Sequence, residues 1–182
     1  MAVEVVPYRE EWAAQFQAVA ADLRQALADV PSASVEHVGS TSVPGLAAKP
    51  VLDIDVVVDR TDVAAATAAL ERLGYTHRGD LGVEGREAFQ APDDAPRRHV
   101  YVCRAGTLHV RNHLAVRDVL RRHDALRDEY AAVKQALAAD PDVSMDDYLA
   151  GKSEVLQRVL AESSLVTAQE RQEIERLNRG LA

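Results

Sequence analysis
The sequence predicts an α+β domain with a helical C-terminal part. Residues 50–58, PVLDIDVVV, have the length and β-branched density of a buried strand. Segments on either side of it repeat apolar residues at spacings of three and four, the period of a helix that buries one face. From residue 116 onward the pattern is helical.

Each element follows from local pattern. Trp12, Phe16, Val19, Leu23 and Leu27 form one stripe of an amphipathic helix over Arg9–Ala28, which should pack on a sheet. A short strand over Val35–Val38 runs into a turn at Gly39. After the buried strand, Thr61 or Asp62 caps a helix over Val63–Leu73 that stops at Gly74. Residues 74–97 hold Gly74, Gly79, Gly82 and Gly85 and then APDDAPRR, so loops are expected around one or two short strands, one of them near Ala88–Gln90. RRHVYVCRAGTLHVRNH alternates on both sides of Ala105-Gly106-Thr107 and predicts a β-hairpin. In that register Cys103 faces His109, Tyr101 faces Arg111 and His99 faces His113, with Val100, Val102 and Val110 on the other side. Helices follow over Val116–His123 and Ala125–Ala138, from Met145 into the Glu162 region, and over Thr167–Asn178, the last stopped by Gly180. Residues 1–163 form the domain. Residues 164–182 form an extension with few apolar positions, Ile174 and Leu177, expected to pack weakly, project, or meet a second copy in a homo-oligomer.

Composition narrows the function. A chain of 182 residues can bury most of its apolar surface without disulfides or a structural metal. Its one cysteine, Cys103, excludes an internal disulfide framework, and no basic segment precedes an apolar run at the N-terminus. A soluble, cytoplasmic protein with no membrane partner is expected. The net charge of -8 opposes binding to long nucleic acids. Arginines concentrated between Arg97 and Arg127 still suit a small phosphorylated ligand, although a solvated helix face has the same composition.

Two motifs carry chemistry. Asp53 and Asp55 are two residues apart in a strand and so share a face, while Leu52, Ile54 and Val56 face the other way. Adjacent carboxylates stay ionised at low cost when a cation lies between them, and magnesium, held by one or two carboxylates plus substrate phosphates, fits best. Just upstream, Gly39 permits close backbone approach, Ser40, Thr41 and Ser42 offer hydroxyls, and a short helical turn with Pro44 adds a positive end for a phosphate. The plainer alternative pairs the acids with arginines such as Arg111 and leaves Ser40 as a turn cap.

The segment EHVGSTSVPGLAAKPVLDI, residues 36–54, resembles the GrpB family. The likeness extends to NHLAVRDVLRRHDALRDEYAAVKQALA at residues 112–138 and YLAGKSEVL at residues 148–156, and covers about residues 5–160. The resemblance implies a nucleotidyltransferase-like fold, a small mixed sheet flanked by helices, with Gly39 and Ser40 in the phosphate turn and Asp53 and Asp55 as the metal pair. It implies a nucleotide, as a nucleoside triphosphate, with magnesium, or manganese in its place; the acidic charge of the chain adds the expectation of a small acceptor. One departure stands out: members of the wider superfamily add a third carboxylate from a later strand, whereas the hairpin offers His99, Tyr101, His109, Arg111 and His113. Glu87 and Asp118 are the nearest acids in sequence. His109 and His113 are candidates for the general base, and with His99 they also suit zinc or iron. Lys49, Arg111, Arg117, Lys134 and Lys152 are candidates to neutralise the polyphosphate. Three readings stay open: a magnesium-dependent nucleotidyltransferase, a nucleotide-binding module of the same fold without turnover, and a metal-dependent hydrolase built on the histidines.

Overall fold
In the computed structural model, which describes residues 4–178, the elements run α1 (Glu11–Ala26), β1 (Ser34–Val38), β2 (Leu52–Val58), α2 (Val63–Arg72), β3 (Thr76–His77), β4 (Arg86–Gln90), β5 (Arg98–Arg104), α3 (Leu108–Arg122), α4 (Asp124–Ala138), α5 (Met145–Gly151), α6 (Ser153–Ala161) and α7 (Ala168–Asn178). The five strands form one mixed sheet in the order β1-β2-β5-β4-β3. β2 is antiparallel to β1 and parallel to β5, and β4 is antiparallel to both of its neighbours. The α+β class is as expected.

Side-chain alternation decides which face is core. Leu52, Ile54, Val56 and Val58 of β2, with Val100 and Val102 of β5, join the α1 stripe of Trp12, Phe16, Val19 and Leu23 and Ala66, Ala69 and Leu70 of α2. Ile54 and Leu23 are fully buried, each worth about 1.5–3 kcal/mol of transfer free energy. The opposite face therefore carries Asp53 and Asp55, with Glu36, His99 and Tyr101 at the paired positions of β1 and β5. A second cluster joins Val43 and Leu46, just past the Gly39 turn, to Val119, Leu120, Tyr130, Val155 and Val159. The helices after β5 are thereby fastened onto the turn.

The expected hairpin over residues 97–113 does not form. β5 already has β2 on one edge and β4 on the other, so neither edge is left for a returning strand. The chain instead turns at Gly106 (φ 75) and Thr107, whose extended backbone (φ -66, ψ 155) starts α3 at Leu108. Alternation over three residues, Leu108 to Val110, was outweighed by a helical stripe of Val110, Ala115 and Val119. The helix expected from Met145 into the Glu162 region is two helices that meet at Gly151 and Lys152. A Cβ at Gly151 would lie 2.6 Å from Leu137 Cδ2, so glycine lets α5 approach α4.

Nor does α7 project. Ile174 is buried with Ala115, Leu160 and Val166, Arg111 pairs with Glu170, and Gln157 Nε2 donates to Arg171 O. The stop expected at Gly180 lies outside the described residues. Among the described residues no helix is long and apolar enough to cross a membrane.

Candidate nucleotide and metal site
Gly39 closes β1 with φ 67 and ψ -174, a backbone state open essentially to glycine alone. A Cβ there would lie 2.2 Å from Asp53 Oδ2, so the turn is pressed against the first acid. The hydroxyls that follow divide their work. Ser42 Oγ donates to Gly39 O (2.6 Å) and Thr41 Oγ1 to Val51 O (3.3 Å); both residues are buried and hold the turn in shape. Arg121 holds it from α3, donating to Ser42 O at 3.0 and 2.7 Å. Ser40 alone of the three faces the lysines.

Those lysines arrive from far along the chain. Lys134 of α4 is 2% exposed, donates to Ser40 Oγ (2.9 Å) and Ala47 O, and lies over the Tyr130 ring. Lys152, at the α5–α6 junction, and Lys49, just before β2, flank the Tyr148 ring at 4.5 and 5.2 Å. Burial, with the charges of Lys152 and Lys49, lowers Lys134 to about 7. Burial and Lys49 lower Lys152 to about 8, with Asp53 opposing.

On the other side of the turn the acids face histidines. His99 Nδ1 donates to Asp53 Oδ1 (3.0 Å), and His113 Nδ1 donates to Asp55 Oδ2 (2.8 Å). Asp53 is 33% exposed, whereas Asp55 is 1% exposed and its Oδ1 is buried without a hydrogen-bond partner. His109 and His113, one turn apart on α3, bring their rings within 4.0 Å. Burial, then His113, lowers His109 to about 4. Burial works against a charged His113, but the Asp55 hydrogen bond and the two aspartate charges outweigh it and raise that ring's pKa. The histidines thus reach the acids from a helix, not from the strand expected for them.

Of the other expected site residues, Arg111 lies away from the acids and Arg117 is bound to Glu36, the register partner of Asp55. Arg111 is tied to Glu170 and to Leu165 O beside α7. Arg117 bridges Glu36 (2.8 Å) and Asp118 (2.7 Å) and donates to His37 O (3.2 Å). Neither acid nearest in sequence fills the third place. Glu87 pairs in register with Val102, on the core-facing side of β5, and bonds His77 at 2.6 Å; Asp118 is held by Arg117. The positions beside Asp53 and Asp55 on β5 are His99 and Tyr101. Two clefts of about 460 and 400 Å³, lined in part by Arg60 and His77 and by Phe16 and Arg121, do not include the acids.

Sequence reasoning missed Tyr130 and Tyr148, which carry the lysines, and Cys103, which stands near Asp55. No short-range signal marks the tyrosines; the parallel register of β5 on β2 would have revealed Cys103.

The glycine-serine turn leads into a strand whose two aspartates share one face within a five-stranded mixed sheet. Residues 2–162 match the GrpB protein family, and the chain belongs to it. A crystal structure of GrpB from Enterococcus faecalis is similar, with a TM-score of 0.74 and 35% identity over 87% of this chain and 98% of that one. The UPF0157 protein YqkA of Bacillus subtilis is 35% identical over 155 residues, 84% of this chain; the chain spans 44% of that relative's length. A Cid1 poly(U) polymerase structure bound to MgATP aligns at a TM-score of 0.48 and 14% identity, covering 72% of this chain and 45% of that one.

Proposed function
We propose that this chain binds a nucleoside triphosphate with magnesium, or manganese in its place, and transfers the nucleotidyl group to a small acceptor. One observation carries the reading: the Gly39–Ser40 turn brings together Asp53, pressed against Gly39, with Lys134, which donates to Ser40, and Lys152, which feels the Asp53 charge. Carboxylates and cations gathered around one backbone turn are what a metal-bound polyphosphate needs.

Asp53 and Asp55 would hold the ion, which when bound supplies charge neutralisation to the phosphates. Their donor set fits it: two carboxylates on one strand face, that of Asp53 partly exposed. Lys134, Lys152 and Lys49 receive the β- and γ-phosphates, while Ser40 and the Gly39 backbone fix their position. The acceptor oxygen attacks the α-phosphorus in line; the new P–O bond forms as the α–β bridging bond breaks and pyrophosphate leaves. His113 is placed to take the acceptor's proton, because Asp55 engages Nδ1–H and leaves Nε2 as the basic nitrogen. His109, buried and held neutral, supports that ring. The net charge of -8 favours a small acceptor over a long nucleic acid, and a cytoplasmic setting suits both a free thiol and a magnesium nucleotide.

The test is calorimetric titration with each nucleoside triphosphate, with and without magnesium, followed by a screen of acceptors for pyrophosphate release. Metal-dependent binding and pyrophosphate release support the transferase. A second reading, a nucleotide-binding module without turnover, is favoured by His99 and Tyr101 standing where a third carboxylate would be. It predicts the same binding and no pyrophosphate with any acceptor. Absence of metal-dependent nucleotide binding overturns both.

A further inference from the structure
Asp55 has a second set of neighbours on the side away from Asp53. The sulfur of Cys103, a ring nitrogen of His109 and a carboxylate oxygen of Asp55 all lie within 4.8 Å of one another. Two polar atoms in this cluster are buried without a hydrogen-bond partner, Asp55 Oδ1 and His109 Nε2. Leaving such atoms unpaired costs about 1–3 kcal/mol each. Polar atoms that converge unpaired on one point, beside a buried thiol, mark a place for a cation.

We propose that Asp55, Cys103 and His109 form a binding site for a divalent transition metal of the zinc class, adjoining the proposed magnesium site through the shared Asp55. One sulfur, one imidazole nitrogen and one carboxylate oxygen is a donor set that suits zinc or iron and that magnesium does not select. Along the sheet, Cys103 pairs with Val57, two residues beyond Asp55, whereas Asp53 lies two residues before it. The two sites therefore fall on opposite sides of the Asp55 carboxylate. Arg86, whose register partner is Cys103, stands beside the cluster. Binding breaks the S–H bond, forms the metal–sulfur bond and releases the proton to solvent. His113 Nδ1–H, bonded to Asp55, orients that carboxylate in the way outer partners orient metal ligands.

The experiment uses the full chain stripped of metal and titrated with cobalt(II) alone. We expect a sulfur-to-cobalt charge-transfer band with tetrahedral ligand-field absorption, displaced by zinc. Cys103→Ala and His109→Gln should each weaken cobalt binding by at least about 100-fold, beyond the 10–100-fold typical of outer-shell partners. Asp53→Asn should keep the band while losing magnesium-dependent nucleotide binding, which separates this site from the proposed nucleotide site. Should a variant fail to fold, X-ray absorption of the zinc-loaded wild-type chain reads the sulfur ligand directly. Cobalt bound without the sulfur band, or zinc bound with no sulfur neighbour, overturns the proposal.

Discussion

The two sides of the Gly39–Ser40 turn are built on opposite principles. On the acid side each carboxylate already has a cationic or donor partner, His99 for Asp53 and His113 for Asp55. On the lysine side, Lys134 meets neutral oxygens, Ser40 Oγ and Ala47 O, and its nearest charges are other lysines. The acids are paired with histidines, whereas Lys134 and Lys152 crowd one another and Lys49, with Asp53 opposing only at Lys152. Accumulated charge of this kind is tolerated where a ligand of opposite sign relieves it, which makes the lysine side the anchor of the proposed ligand and the acid side the adjustable part.

The acids give the largest expected effect. Asp53→Ala and Asp55→Ala should each abolish magnesium-dependent nucleotide binding, a loss of more than about 100-fold, or about 2.7 kcal/mol. Their folding effects should differ. Asp55→Ala removes the acceptor of a buried bond to His113 and should cost about 1.5–3 kcal/mol, the range for hydrogen bonds to charged groups. Asp53 is partly exposed and paired with an exposed histidine, so its loss should cost under about 1 kcal/mol. Chemical denaturation measures both. Nucleotide affinity unchanged in Asp53→Ala would leave the proposed function without its metal.

Between the two sides lies Gly39, where Gly39→Ala tests the contact itself. The backbone state costs a non-glycine residue about 1–3 kcal/mol, and the added methyl would overlap Asp53 Oδ2. We expect a fall of more than about 4 °C in melting temperature, since about 2–4 °C accompanies each kcal/mol in a chain of this size. Nucleotide affinity should fall with it, because Asp53 must move. An unperturbed melting curve would mean that the turn does not press on the acid.

Lys134→Met examines the lysine side, with an expected affinity loss of about 10–100-fold. The pH dependence is more telling. Because Lys134 is lowered to about 7, it is mostly neutral above that pH and must gain a proton to meet a phosphate. Affinity should therefore fall as pH rises from about 7, and calorimetry in buffers of different ionisation enthalpy should detect proton uptake on binding. Folding stability has the opposite slope. From about 7 up to the ordinary lysine value the unfolded chain binds more protons than the folded one, so this group's contribution to stability rises with pH. Lys134→Met should reduce both slopes to the share of Lys152, which is lowered to about 8. Proton release on binding, or slopes undiminished in the variant, would place the phosphates elsewhere.

How much of this was legible in the sequence depends on distance along the chain. Asp53 and Asp55 on one strand face, the Gly39 turn, α1 and α2 all follow from spacings of a few residues and were read correctly. The partners of those residues were not. Whether Leu108–His113 continues as strand or helix depends on β5 having both edges occupied, a fact set by strands 40 residues apart. His113 reaches Asp55 across 58 positions and Lys134 reaches Ser40 across 94. Residue type named His109, His113, Lys134 and Lys152 as candidates; only tertiary packing separated them from Arg111 and Arg117, whose composition is just as suggestive.

The smallest expected effect belongs to Arg111 and checks that separation. Arg111 was a phosphate candidate on sequence, yet its guanidinium donates to both carboxylate oxygens of Glu170 (2.5 and 3.1 Å) and to Leu165 O (3.1 Å), fastening α7 to α3. The pair is near the surface, where ion pairs contribute little, and Ile174 and Val166 hold α7 independently. Arg111→Ala should lower the melting temperature by no more than about 3 °C and leave nucleotide affinity within about twofold of the starting protein. Amide exchange should quicken in residues 165–174 and stay unchanged in β2. A drop in nucleotide affinity without faster exchange in that segment would return Arg111 to the ligand and extend the cationic side of the turn to α3, against the division drawn between the two sides.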